Sequence, residues 1–122
     1  MPRAPPRYGM TFDPETDLAP EDVRATVDDA IADNEVVLFM KGNELMPQCG
    51  YSKKALGLIQ RHRDEYETVD VLPALDEFRE ALEDHSGWET IPQTFVDGEF
   101  VGGSDVLEQL EDDGDLADTL TA

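Results

Sequence analysis

Between Glu21 and Ala32 the apolar residues Val23, Val27 and Ile31 recur every four positions, which is the spacing of one helix face. Pro20 suits the first turn of that helix and Asn34 ends it. Val36, Val37, Leu38, Phe39 and Met40 follow without alternation, as in a strand covered on both faces. GNELMPQ is a loop, marked by Gly42, Asn43 and Pro47. After Cys49-Gly50-Tyr51-Ser52, the segment KKALGLIQRHR places Ala55, Leu56 and Ile59 on one helical face. Gly57 costs that helix about 1 kcal/mol relative to Ala, so close packing is expected there. Tyr66–Leu72 alternates as a second strand, and Pro73 opens a helix faced by Leu75, Phe78 and Leu82. The short runs Gln93–Val96 and Glu99–Val101 flank Asp97-Gly98, a strong hairpin signal. Gly102-Gly103-Ser104-Asp105 leads into a helix through Val106, Leu107 and Leu110, and a last short helix follows Gly114. The order α-β-α-β-α-β-β-α predicts an α/β fold, a mixed four-stranded sheet flanked by helices. With 122 residues the chain has room for one domain, residues 20–122, after a loosely ordered extension over residues 1–19.

Charge changes the picture. The 9 basic and 29 acidic residues give a net charge of −20. That excess repels nucleic acid and anionic membranes alike. It fits a solvated surface adapted to high salt, with an acidic docking face for a basic partner as the alternative. No stretch approaches the roughly 18 apolar residues of a membrane helix, and MPRAPPRYGM lacks the apolar core of a secretory signal. A cytoplasmic location is expected. Five of the nine cations, Lys41, Lys53, Lys54, Arg61 and Arg63, fall in one segment with only Glu44 against them. The segment is +4 and the rest of the chain −24. This clustering around the only cysteine suggests a site for a thiolate or an anionic ligand.

A single cysteine forbids an internal disulfide, which suits a reducing cytosol. With only His62 and His85 beside it, a closed zinc site within one chain is not expected. Taken alone, a lone cysteine is more often a small buried hydrophobe than a nucleophile. Cys49, however, follows a buried strand and a polar loop and begins a helix. There free N–H groups and the positive dipole end stabilise a thiolate. Gly50 allows close approach of a ligand to the backbone. Ser52 occupies the place of the second cysteine of a C-x-x-C pair and cannot attack a mixed disulfide on Cys49, so reductase turnover needs an outside thiol.

VVLFMKGNELMPQCGYS resembles the monothiol glutaredoxins, whose active site reads CGFS after a strand ending in MKG. WETIPQTFVDGEFVGGSDVLEQL resembles their second signature, close to WPTIPQ followed by an F/Y-V-x-G-E-F-I/V-G-G-C-D run. The two motifs lie in the right order and spacing within a match of roughly residues 20–118. Tyr51 stands where the family has Phe, Glu89 where it has Pro, and Ser104 where it has Cys. The resemblance implies a thioredoxin fold over residues 20–122, with Pro92 in the cis form near the thiol. It implies glutathione, or a related small thiol such as γ-glutamylcysteine, held by Lys41, Cys49, Arg79, Ile91, Ser104 and Asp105. Lys41 and Arg79 suit a carboxylate, and Asp105 an α-ammonium.

The resemblance further implies a [2Fe–2S] cluster with Cys49 as its one ligand from each chain. Four ligands are needed, so a homodimer with two small thiols completes the set. Such a protein passes its cluster to apo iron–sulfur proteins, and the family also pairs with BolA-like proteins. Two other readings stand beside this one. The first is a thiol–disulfide oxidoreductase working through Cys49, with weak activity at most. The second is a non-catalytic acidic interaction module in which the cysteine is incidental.

Overall fold

The computed structural model describes residues 19–121. The extension expected over residues 1–19 lies almost wholly outside the described residues; only Ala19 is included, as the residue before the first helix. In chain order the elements are α1 (Pro20–Asp33), β1 (Val36–Met40), α2 (Gly50–Gln60), β2 (Glu67–Asp70), α3 (Leu75–Ser86), β3 (Gln93–Val96), β4 (Glu99–Gly102), α4 (Ser104–Asp113) and α5 (Leu116–Leu120). The sheet order is β2-β1-β3-β4. β1 runs parallel to β2 and antiparallel to β3, and β3 and β4 form the hairpin across Asp97-Gly98. Asp97 takes a φ of 54°, as this tight turn demands. This is the thioredoxin fold.

The unbroken apolar run of β1 has its cause in two cores. Val37 and Phe39 point to one face, against Val23, Val27 and Ile31 of α1 and Phe78, Ala81 and Leu82 of α3. Val36, Leu38 and Met40 point to the other, against Ala55, Leu56, Leu58 and Ile59 of α2, Leu107 of α4, and Leu116 and Leu120 of α5. All five β1 residues are buried. Phe39 also meets Phe95 of β3 edge-on, with ring centroids 5.7 Å apart. A central strand covered on both faces has no polar side to alternate with.

Three details differ from expectation. The second strand stops at Asp70 rather than Leu72, because the Asp70 carboxylate accepts the Leu72 N–H at 2.9 Å and turns the chain out of the sheet. Pro73 then sits in a short 3₁₀ turn, Leu72–Ala74, and the third helix begins at Leu75. Gly57 is not a close-packing position: a methyl group there would meet no atom within 4 Å.

Candidate functional site

The loop between β1 and α2 is braced at every step. Gln48 N–H donates to the Lys41 carbonyl at 2.9 Å. Asn43 Oδ1 accepts the N–H groups of Leu45 and Met46, both at 2.9 Å. Gly42 N–H donates to Asp70 Oδ1 at 3.0 Å, so the carboxylate that ends β2 also anchors this loop. Gly42 has a φ of +90°, and a Cβ there would lie 2.5 Å from the Met46 carbonyl oxygen, so glycine is required. The loop delivers Cys49 as the extended residue capping α2, whose first turn carries no acidic side chain.

Cys49 is half-buried and its thiol is held below the ordinary range. The largest cause is hydrogen bonding from the Ser52 backbone N–H. Burial opposes it; the Tyr51 N–H, the Ser52 hydroxyl and finally the Lys41 charge add to it. This is the anion site of a helix start, here aimed at sulfur. Ser52 is fully buried, and its Oγ accepts the Lys41 N–H at 3.0 Å, tying the end of β1 to the first turn of α2. The position that holds a second thiol in a C-x-x-C site is therefore structural here. A methyl group on Gly50 would meet no atom within 4 Å, so the start of α2 is open at that position.

Across from the start of α2 lies a cavity of about 660 Å³, walled by Tyr51, by the strap from Trp88 to Pro92, and by the β4–α4 junction through Gly102, Gly103, Ser104 and Asp105. Ile91-Pro92 is a cis peptide bond. Gly103 allows the two walls to meet, since a Cβ there would stand 2.9 Å from the Pro92 carbonyl oxygen. The cavity thus gathers Ile91, Ser104 and Asp105 of the expected ligand residues. Ser104 is buried at the first position of α4, and Asp105 lies in the same first turn. Lys41 is grouped with Cys49 through Ser52 instead. Arg79 is brought to neither group: it stands on α3, 3.8 Å from the Asp76 carboxylate.

A glutaredoxin family profile matches residues 36–101. The chain belongs to the glutaredoxin family. A Synechocystis protein described as an uncharacterized monothiol glutaredoxin is 42% identical over 99 residues, covering 81% of this chain and 92% of that one. The chloroplastic monothiol glutaredoxin-S7 of rice is 43% identical over 103 residues, and the match spans 84% of this chain and 60% of that longer protein. Among solved structures, the solution structure of reduced poplar apo GrxS14 superposes with a TM-score of 0.71 at 33% identity, covering 83% of this chain and 92% of the other. With Ser52 in the second position, this glutaredoxin is of the monothiol kind.

The cation cluster of this glutaredoxin does not close around the thiol as its sequence suggests. Lys54 reaches Glu108 at 2.8 Å, Arg61 reaches Glu111 at 3.0 Å, and Arg63 reaches Glu35 at 3.0 Å. A chain this acidic sets carboxylates beside three of the five clustered cations. Tyr51 is 65% exposed, so its hydroxyl needs no protein partner. Glu89 is directed at Glu83, whose carboxyl it raises above the ordinary range, and is not among the groups that shift Cys49. Sequence reasoning missed the walls supplied by Trp88, Thr90, Phe100, Val101 and Val106. The one available signal was the single tryptophan, three residues before Ile91-Pro92. Among the described residues no three His, Cys, Asp or Glu side chains converge on a point that could hold a metal ion.

Proposed function

We propose that this monothiol glutaredoxin binds a [2Fe–2S] cluster as cargo between two copies of the chain and hands it to apo iron–sulfur proteins. Each copy contributes Cys49, and two molecules of glutathione or a related small thiol supply the remaining ligands. The observation that carries this reading is the setting of Cys49: a half-buried thiol held below its ordinary range, at a helix start, with no second thiol in the chain. The cavity supports the small-thiol part; Cys49 is not in its lining, but Tyr51, two residues on in the first turn of α2, is. Ile91 presents backbone groups as a strand edge does, Asp105 suits an α-ammonium, and the first N–H groups of α4 suit a carboxylate. Lys41 is retained as a carboxylate partner and Arg79 is a weaker one, being turned to Asp76. A ligand set held by detachable small thiols releases its cargo readily, which favours transfer over permanent storage. A cytoplasmic setting and a BolA-like alternative partner belong to the same reading.

The test is anaerobic reconstitution of the full chain with ferrous iron, sulfide and glutathione. The expected product is a coloured dimer with two irons per pair of chains, absent without glutathione and absent from Cys49→Ser. A Cys49→Ser protein that still takes up the cluster overturns the proposal. The lowered range of the Cys49 thiol also favours a second activity. The thiolate attacks the sulfur of a glutathione mixed disulfide, a new S–S bond forms on Cys49, and the former partner leaves as a thiolate. A second glutathione thiolate then attacks that bond and restores Cys49, leaving as the disulfide. Rapid turnover of this kind with no cluster formed places the second activity first.

A further inference from the structure

Gln93 begins β3 directly after the Ile91-Pro92 bond, and its side chain is 1% exposed. Its carboxamide N–H₂ donates twice into the strap, to the Trp88 carbonyl at 2.8 Å and the Thr90 carbonyl at 3.0 Å. Its Oε1 is buried with no partner. Two carbonyls facing one nitrogen fix the orientation of the amide, since turning it over would set oxygen against oxygen. A buried oxygen without a partner is unfavourable, and a hydrocarbon of the same length would avoid it. Gln93 therefore stands there for its two donors. They matter because the strap has little else: residues 87–92 lie outside helix and strand, and Trp88, Glu89 and Thr90 are exposed. Apart from Gln93, the side-chain hydrogen bonding to the strap among the described residues comes from the Ser86 hydroxyl, which accepts the Trp88 N–H at 3.0 Å and stands 3.1 Å from the Trp88 carbonyl; nothing but Gln93 reaches the Thr90 carbonyl. Yet this strap forms one whole wall of the cavity, through Trp88, Thr90, Ile91 and Pro92.

We propose that Gln93 is a positioning residue for the small-thiol ligand, holding the strap from Trp88 to Ile91 at the distance from α4 that an extended γ-glutamyl peptide needs. The inference rests on the proposed binding of such a thiol in this cavity. Gln93 touches no ligand itself; it acts through two carbonyls of the chain leading to Ile91. A carboxylate at position 93 would face those same carbonyls with no proton to give, and would push the strap outward. Protonated, it recovers one of the two donors.

The test uses the full chain as wild type, Gln93→Glu and Gln93→Leu, with S-methylglutathione as the probe so that no disulfide forms. Dissociation constants are measured by calorimetry from pH 5 to pH 8, well below each melting temperature. Trp88, the only tryptophan, reports the strap by its fluorescence. Loss of two hydrogen bonds is expected to weaken binding about tenfold in both variants at pH 8, with a changed Trp88 signal. The ratio of Gln93→Glu to wild type should fall toward pH 5, while that of Gln93→Leu stays flat. The rate of Cys49 alkylation should be the same in all three, since α2 sets it. Wild-type affinity in folded variants overturns the proposal, and so does weakened binding with an unchanged Trp88 signal. A wild type that binds no probe while the variants still shift Trp88 removes the small-thiol reading itself, and the ligand role of Gln93 with it.

Discussion

Replacing Ser52 with alanine separates two explanations of why Cys49 is acidic. Ser52 gives the thiolate two things: its backbone N–H, the largest single cause of the lowered thiol range, and its hydroxyl, a lesser one. Alanine keeps the first and removes the second. It also leaves the Lys41 N–H without the acceptor it now has at 3.0 Å, in a half-buried place where water reaches poorly. A stranded donor of this kind costs about 1–3 kcal/mol. For a domain of this size that corresponds to a melting temperature lower by about 4–12 °C. Thermal unfolding should therefore register Ser52→Ala strongly. The pH dependence of iodoacetamide alkylation should register it weakly, with Cys49 staying below the ordinary thiol range. A variant whose thiol titrates like a free cysteine refutes the assignment to the helix start, and would make the hydroxyl the controlling group.

Three further outcomes follow from the same geometry. Gly103→Ala places a Cβ 2.9 Å from the Pro92 carbonyl, a backbone atom with no rotamer to escape into; a loss of about 1–3 kcal/mol by urea unfolding and weaker glutathione binding by calorimetry are expected. The folded-state pKa of Cys49 is depressed, so the thiolate's contribution to stability is fully present above the unfolded-state value and disappears as pH falls through the folded one. The melting temperature of wild type minus that of Cys49→Ser should accordingly grow from pH 5 to pH 9, and a flat difference would contradict the shift. Glu83 is raised above the ordinary carboxylate range by Glu89, so its favourable contribution exists at acid pH and is lost as pH rises and Glu83 ionises. Glu89→Gln should raise the melting temperature at pH 7 in low salt, with the gain vanishing near pH 4 and in molar salt.

The elements whose burial is simple were readable from the sequence. Val36–Met40 has no polar position because two cores claim alternate residues, and Asp97-Gly98 sits where a two-residue turn must. The thiol's place at a helix start was readable for the same reason, since a strand, a loop and an apolar helical face fix it. What the sequence concealed depends on contacts between distant segments. Asp70 ends a strand and anchors the site loop because Gly42 and Leu72 both reach it, which no local pattern announces. Gln93 reads as an ordinary strand residue until the carbonyls of Trp88 and Thr90 are seen folded back upon it. The cation cluster misled most, because adjacency in sequence says nothing about which carboxylates α4 brings alongside Lys54 and Arg61.

The pairing of these cations with carboxylates shapes how the site works in a chain of net charge −20. Among the described residues Arg24, Lys54, Arg61, Arg63 and Arg79 each have a carboxylate within 4.0 Å, which leaves Lys41 and Lys53 as the lysines and arginines without one. Both lie within eight residues of Cys49. If Lys41 governed the thiol, salt would abolish the effect, since at 1 M the screening length is only about 3 Å. Its charge is instead the least of the causes, and the N–H groups of Ser52 and Tyr51 act at hydrogen-bond contact, where no ion can intervene. The background of carboxylates works the other way: at low salt it resists another negative charge, and screening relieves it. The Cys49 thiol should thus remain in its lowered range, or move further down, between about 0.1 M and 3 M potassium chloride, as followed by thiolate absorbance near 240 nm against pH. A return to the ordinary thiol range in strong salt would mean that Lys41, not the start of α2, holds the charge on sulfur.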